Sequence, residues 1–225
     1  MTKETTGLSK AVRAGGIIRR KQIFEATLRV ILRDGVRGVR HRAVALEAQV
    51  PLASTTYYFK DLEELLTETF LFWNYGASIY ADHFGDSIDD YLEKFSSTAL
   101  QQQVFREKLS DIFSGLAILY VTNQITHHRN DRLIELAFHH EAVRSDKLRK
   151  AVERGLDRQL ESLETFYQLI GSKNPAADSQ MTISVLHRLE HNALMKGVEI
   201  DRDKIEETIR RHTRVMFLAA DQDQA

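Results

Sequence analysis

Between Arg40 and Lys60 the chain gathers side chains suited to a polyanion. Arg40, His41 and Arg42 come first, Leu52, Ala53, Ser54, Thr55 and Thr56 follow, and Tyr57, Tyr58 and Lys60 close the set. Guanidinium and ammonium groups neutralise phosphate charge, and hydroxyls donate to phosphate oxygens or to base edges. Ala53, Ser54, Thr55 and Thr56 are small enough to let a backbone approach a base pair closely. The surrounding charge agrees. Residues 1–60 hold 12 Lys+Arg against 4 Asp+Glu, a net of +8, whereas residues 61–225 hold 19 against 28, a net of −9. A formal total of −1 therefore conceals a dipolar molecule with one end built to meet a polyanion.

A second pattern could do different chemistry. His187, Glu190 and His191 stand in the H-x-x-E-H order of one class of zinc peptidases. On a helix the two histidines share a face, as zinc requires, but a third ligand well downstream has little chain left to supply it. A helical metal-dependent hydrolase is thus one alternative reading, and a helical adaptor that has lost DNA binding is another. The pairs His127-His128 and His139-His140 are adjacent, so their side chains diverge on a helix. There is no cysteine, which removes disulfides and thiolate sites, and no nucleophile elbow, phosphate-cradling glycine loop or dinucleotide fingerprint. No catalytic residue, metal or cofactor is assigned.

The elements that must position these groups read as helices throughout. Only Pro51 and Pro175 break the chain, and no segment alternates with period two. Residues 1–16 are polar and glycine-containing and read as a flexible basic arm, with Lys10, Arg13, Arg19 and Arg20 available beside the main contact. From Ile17, Phe24, Leu28 and Ile31 recur at helical spacing until Gly35 and Gly38. A short helix follows over Arg40–Glu47. Ala48, Gln49 and Val50 form a turn, and Pro51 opens a helix to Tyr57 or Tyr58. Asp61 and Glu64 form a box-like start for a long helix ending near Gly85. Further helices are predicted over 87–100, 102–126, 130–143, 145–170, 176–196 and 202–219, with Gly171 and Gly197 as stops and Asp201 as a cap. No apolar run reaches the ~20 residues of a membrane span, and no signal core is present, so a cytosolic protein is the simplest reading.

The order Val44-Ala45-Leu46-Glu47-Ala48-Gln49-Val50, then Pro51-Leu52-Ala53-Ser54-Thr55-Thr56-Tyr57-Tyr58-Phe59 and Leu62–Leu66, resembles the tetracycline-repressor (TetR) family of bacterial transcription regulators. The likeness covers about residues 17–66. It departs from the family pattern at Arg40, Gln49, Ala53, Thr56 and Leu62, where threonine, glycine, glycine, tyrosine and lysine are usual. The resemblance implies an all-α fold: a helix–turn–helix DNA-binding domain over 17–62 and a helical effector-binding and dimerisation domain over 63–225. It also implies a homodimer, a double-stranded DNA operator of rough palindromic symmetry, and release from it by a small-molecule effector.

Within that scheme, two stripes are candidates for the dimer interface: Met181, Val185 and Leu189, and Ile205, Ile209, His212 and Met216. A plain intramolecular core would use the same stripes. Trp73, Phe113, Tyr120, Asn123, Phe138, His139 and Tyr167 are candidates for an effector pocket, being mostly aromatic with a few polar anchors.

Overall fold

The structure is a computed structural model that describes residues 4–92, 103–197 and 201–219. Every regular element in these residues is helical: α1 Glu4–Asp34, a 3₁₀ turn Val36–Gly38, α2 His41–Glu47, α3 Leu52–Tyr58, α4 Leu62–Leu92, α5 Gln103–Thr126, α6 Arg129–Ala142, α7 Asp146–Leu169, α8 Pro175–Lys196 and α9 Arg202–Ala219. The boundaries of α5 to α9 fall within a residue of their predicted positions.

The helix ends have local causes. Gly35 follows α1 at φ 70° and its N–H reaches the Ile31 carbonyl, the left-handed stop that favours glycine. Asp61 Oδ1 accepts from the Glu64 N–H at 2.8 Å, while Glu64 Oε2 accepts from the Lys60 N–H at 2.7 Å, so α4 opens on a near-reciprocal cap. Asp201 caps α9 through the Lys204 N–H at 3.1 Å. Asn174 caps α8 through the Ala177 N–H, with Pro175 in its first turn.

Two helices differ from the sequence reading. α1 begins at Glu4, so residues 4–16, read as a flexible arm, are helical; no proline interrupts them, and Gly15-Gly16 is tolerated inside the helix. α4 continues through Gly85 to Leu92, because a single glycine weakens a helix without ending it. The helix expected at 87–100 therefore begins inside α4, and its remainder lies outside the described residues.

The chain divides into two compact units, and the boundary is not at 62/63. One unit comprises residues 1–76 and 133–153, the other 77–132 and 154–225. α4, α6 and α7 each contribute one end to each unit. In the first, α1 lies on α2 and α2 on α3 around Ile23, Val30, Val44, Phe59 and Leu65, all essentially without solvent exposure. Phe24 sits 5.5 Å from Phe59 and 5.2 Å from Phe72, ring to ring. Phe70, Trp73 and Phe138 form a second ring cluster, which brings α6 into this unit. In the second unit α5 packs against α8 and α9. Leu109, Phe113, Phe166, Tyr167, Met216 and Phe217 form one apolar cluster, and Val121, Ile125, Leu189, Ile205 and Ile209 form the next.

Candidate nucleic-acid interface

The turn between α2 and α3 is built by Ala48, Gln49 and Val50. Val50 N–H bonds to the Ala45 carbonyl at 2.9 Å, and Gln49 takes φ 54°. A left-handed residue is what a tight helix–turn–helix needs, and glycine takes it at least cost. Gln49 occupies it at a cost of about 1–2 kcal/mol. Val44 and Ala45 anchor α2 from within, and Phe59 is fully buried beneath the end of α3.

This scaffold sorts the α3 residues by face. Leu52, Ala53, Thr56 and Tyr57 are exposed, Tyr57 at 82%. Ser54 and Tyr58 are half-buried; the Tyr58 hydroxyl lies near Gly16 of α1, and its ring meets that of Tyr57 edge-on at 5.1 Å. Thr55 requires a correction. It is 0% exposed and its hydroxyl donates to the Leu52 carbonyl at 2.8 Å, so it faces the three-helix core and not a ligand. Thr56, one residue on, is exposed, its hydroxyl donating to the Ala53 carbonyl at 3.3 Å.

The basic residues also divide. Arg40 is the N-cap residue of α2, exposed, with Nη1 held by the carbonyls of Arg37 and Val39 at 2.8 and 2.7 Å. Arg42 and Lys60 are exposed. His41 is half-buried, with Nδ1 turned inward and without a partner among the described residues. Arg20, expected beside the main contact, pairs instead with Glu68, and its guanidinium lies over the rings of Phe24 and Phe59 at 5.8 and 5.6 Å. Arg29 and Arg33 are turned onto Glu47 at 2.7 and 2.8 Å. Hydrogen bonds from Arg29 and then Arg33 hold the Glu47 carboxyl below its ordinary range, and Asp34 followed by Glu47 pushes Arg33 upward. Net positive charge in this region therefore overstates the free cations. Exposed Arg37, which the sequence reading did not select, adds one beside Arg40.

The other candidate sites fare differently. Leu189, Ile205, Ile209 and Met216 are buried inside their own unit, and Val185 packs against the same core. As dimer-interface residues they are corrected: the stripes serve an intramolecular core. His212 is half-buried with Nε2 2.9 Å from Thr182 Oγ1, and Thr182 in turn lies 2.6 Å from the Tyr167 hydroxyl. Burial lowers the His212 pKa and pushes Tyr167 up to about 12. Only Met181 of the set is exposed.

The pocket candidates belong to two units and make two sets. Trp73 and Phe138 are core residues of the first, with His139 half-buried there. Phe113 and Tyr167 are core residues of the second, where Tyr120 is half-buried and Asn123 exposed. In the H-x-x-E-H pattern Glu190 is 3% exposed, and its Oε2 lies 3.7 Å from Arg132 Nη1, so this carboxylate is engaged by a guanidinium. Among the described residues no group of three His, Cys, Asp or Glu is placed to hold a metal ion. No described helix is long and apolar enough to cross a membrane.

No family model matches the chain. A relative in Bacillus subtilis (strain 168), the HTH-type transcriptional regulator PksA, is 25% identical over 198 residues, covering 86% of this chain and 87% of the relative. A solved structure from Streptomyces coelicolor A3, a member of the TetR family, superposes with TM-score 0.61 and 24% identity over 86% of this chain and 97% of its own. A regulator from Mesorhizobium loti assigned to the same family gives TM-score 0.65 at 16% identity, covering 91% and 96%. The chain has the TetR-family fold. The multidrug binding protein EbrR, solved with proflavin, shares that fold at TM-score 0.52 and 22% identity over 86% and 99%. In the TetR fold α1–α3 form the helix–turn–helix domain, which is the region the charge and hydroxyl pattern singled out.

Proposed function

We propose that this chain is a transcription regulator that binds a roughly palindromic DNA operator as a homodimer and leaves it when a small-molecule effector binds. One observation carries the reading. The outward face of α3, with Ala53, Thr56 and Tyr57, is exposed to solvent, and so are Arg40, Arg42 and Lys60 of the same unit. A helix of this kind enters the major groove, while the cations settle on phosphates.

The dimer reading shifts to the outward faces of α8 and α9, where Met181 and Val215 are about half-exposed. In such a dimer the two α3 helices would occupy half-sites about 34–36 Å apart. The effector reading draws support from the shared fold with a protein that binds proflavin. In it the effector prefers a state in which the two α3 helices are wrongly spaced, and α4, α6 and α7, shared by both units, carry the change.

Selection of genomic fragments with the purified full chain tests the function and yields the operator. Enrichment of fragments with a common two-fold motif is expected. Recovery of unrelated fragments with no shared motif would reject the reading.

A further inference from the structure

A cleft of about 300 Å³ opens within the first unit, at the small end of the range of ligand pockets. Its floor is apolar: Val39 and Leu148 are almost fully buried and Leu66 nearly so. Its rim is charged in both senses. Arg37 and Arg40 enter from the turn before α2, Glu63 from the first turn of α4, and Glu141 from the last turn of α6. No ion pair among the described residues joins these four to one another, and neither Arg37 nor Glu141 has a side-chain hydrogen bond there. Ser145 holds the remaining corner. Its hydroxyl donates to Glu63 Oε1 at 2.6 Å and accepts from the Leu148 N–H at 3.2 Å, so it ties α4 to the start of α7.

Charges of both signs, joined by no ion pair to one another, stand around an apolar floor and define the molecule that would fit. A simple anion would pair with the arginines but be drawn in beside two carboxylates. A simple cation would meet the reverse problem. Either is repelled by the like charges of a rim on which Arg37, Arg40 and Glu63 are exposed and Glu141 half-buried, a Coulomb cost that solvent screens in part. A zwitterion satisfies both. Its carboxylate can take the planar fork of Arg37, with Arg40 beside it already fixed by two carbonyls. Its ammonium can meet Glu141 and the second oxygen of Glu63, and its apolar body covers Val39, Leu66 and Leu148. We infer that this cleft is a binding site for a small zwitterion with an apolar body, of the α-amino-acid kind. A ligand there would bridge the turn preceding α2 to α4 and α6, next to Arg40, and so act on the DNA-facing helices directly.

Calorimetric titration of the full chain with L-phenylalanine, 3-phenylpropanoate and 2-phenylethylamine tests the inference. The three share a body and differ in charge. Phenylalanine is expected to bind with a dissociation constant on the order of millimolar or tighter, and each singly charged analogue about tenfold or more weaker. Arg37→Gln and Glu141→Gln should each weaken phenylalanine by about tenfold while melting like the parent protein, since neither residue is in a core. Absence of a saturable phenylalanine signal, equal binding of all three probes, or binding that survives either substitution would overturn the inference. The assay contains no DNA, so its failure leaves the regulator reading standing, and failure of the operator selection leaves this site standing.

Discussion

α3 and the α8–α9 pair each carry side chains that the sequence assigned to a partner, and the fold treats the two sets in opposite ways. On α3 the outward stripe stays in solvent: Tyr57 is 82% exposed, and Ala53 and Thr56 stand beside it. On α8 and α9 the stripe Leu189, Ile205, Ile209 and Met216 is consumed by the unit's own core. Threonine gains little from burial, whereas a tyrosine ring left 82% exposed forgoes the burial open to it, so Tyr57 is the side chain on α3 that most calls for a partner. Leucine and isoleucine gain about 1.5–3 kcal/mol each from burial against any apolar surface, whether their own or a second subunit's. An apolar stripe thus reveals which face is covered and is silent on what covers it.

Four measurements break or sharpen that contrast. The largest effect belongs to the support beneath α3. Phe59→Ala empties a fully buried ring site and should cost about 3–5 kcal/mol, seen as a large fall in Tm with loss of DNA binding. Tyr57→Ala, two residues earlier, should leave Tm within about a degree or two, since exposed substitutions rarely exceed about 0.5 kcal/mol. Its operator affinity should nevertheless drop by about 1–3 kcal/mol in a binding titration. If Tyr57→Ala behaved like Phe59→Ala, the division of α3 into a supporting and a reading face would be wrong.

Gln49→Gly comes next. It relieves the left-handed backbone at φ 54° and should stabilise the protein by about 1 kcal/mol, measured by denaturant unfolding. A loss of stability would mean that the Gln49 side chain makes a compensating contact.

The smallest effect lies in the second unit. Burial lowers the His212 pKa from its usual 6.5, with the negative field of Asp178 opposing. The unfolded histidine therefore takes up its proton first as the pH falls. Stability that is complete above 6.5 is lost as the pH drops through that value toward the lower folded one. Thermal melts of parent and His212→Gln should diverge least at about pH 5 and most at about pH 7, the parent losing more over that interval. Parallel pH dependence would remove His212 as the cause.

Local signals were legible because their physics is local. Asp61 with Glu64, Pro51, Gly171, Gly197 and Asp201 each act within one helical turn, and the helices they delimit lie where the residues placed them. The helix–turn–helix was legible for the same reason, and the structure adds that Gln49, where glycine is usual, takes the left-handed conformation. What escaped depends on distant partners. Thr55 looks like its neighbour Thr56 in sequence, and only packing across α1–α3 sends it inward. Arg20 counts as free positive charge until Glu68 and two rings claim it. Residues 133–153 join the first unit through the Phe70–Trp73–Phe138 rings and the Ser145–Glu63 bond, contacts separated by well over half a hundred residues of chain. No periodicity encodes such pairings, and the seven proposed pocket residues were divided by them.

The central claim is that the open face of α3 reads DNA sequence, with the adjacent cations holding the phosphates. Its most direct test is one titration series: the full chain against its selected operator and a scrambled duplex of equal length, at several salt concentrations. The account predicts a preference for the operator of about a thousandfold or more, and log affinity falling linearly with log salt on both duplexes. Equal affinity for the two duplexes, or binding indifferent to salt, would contradict it.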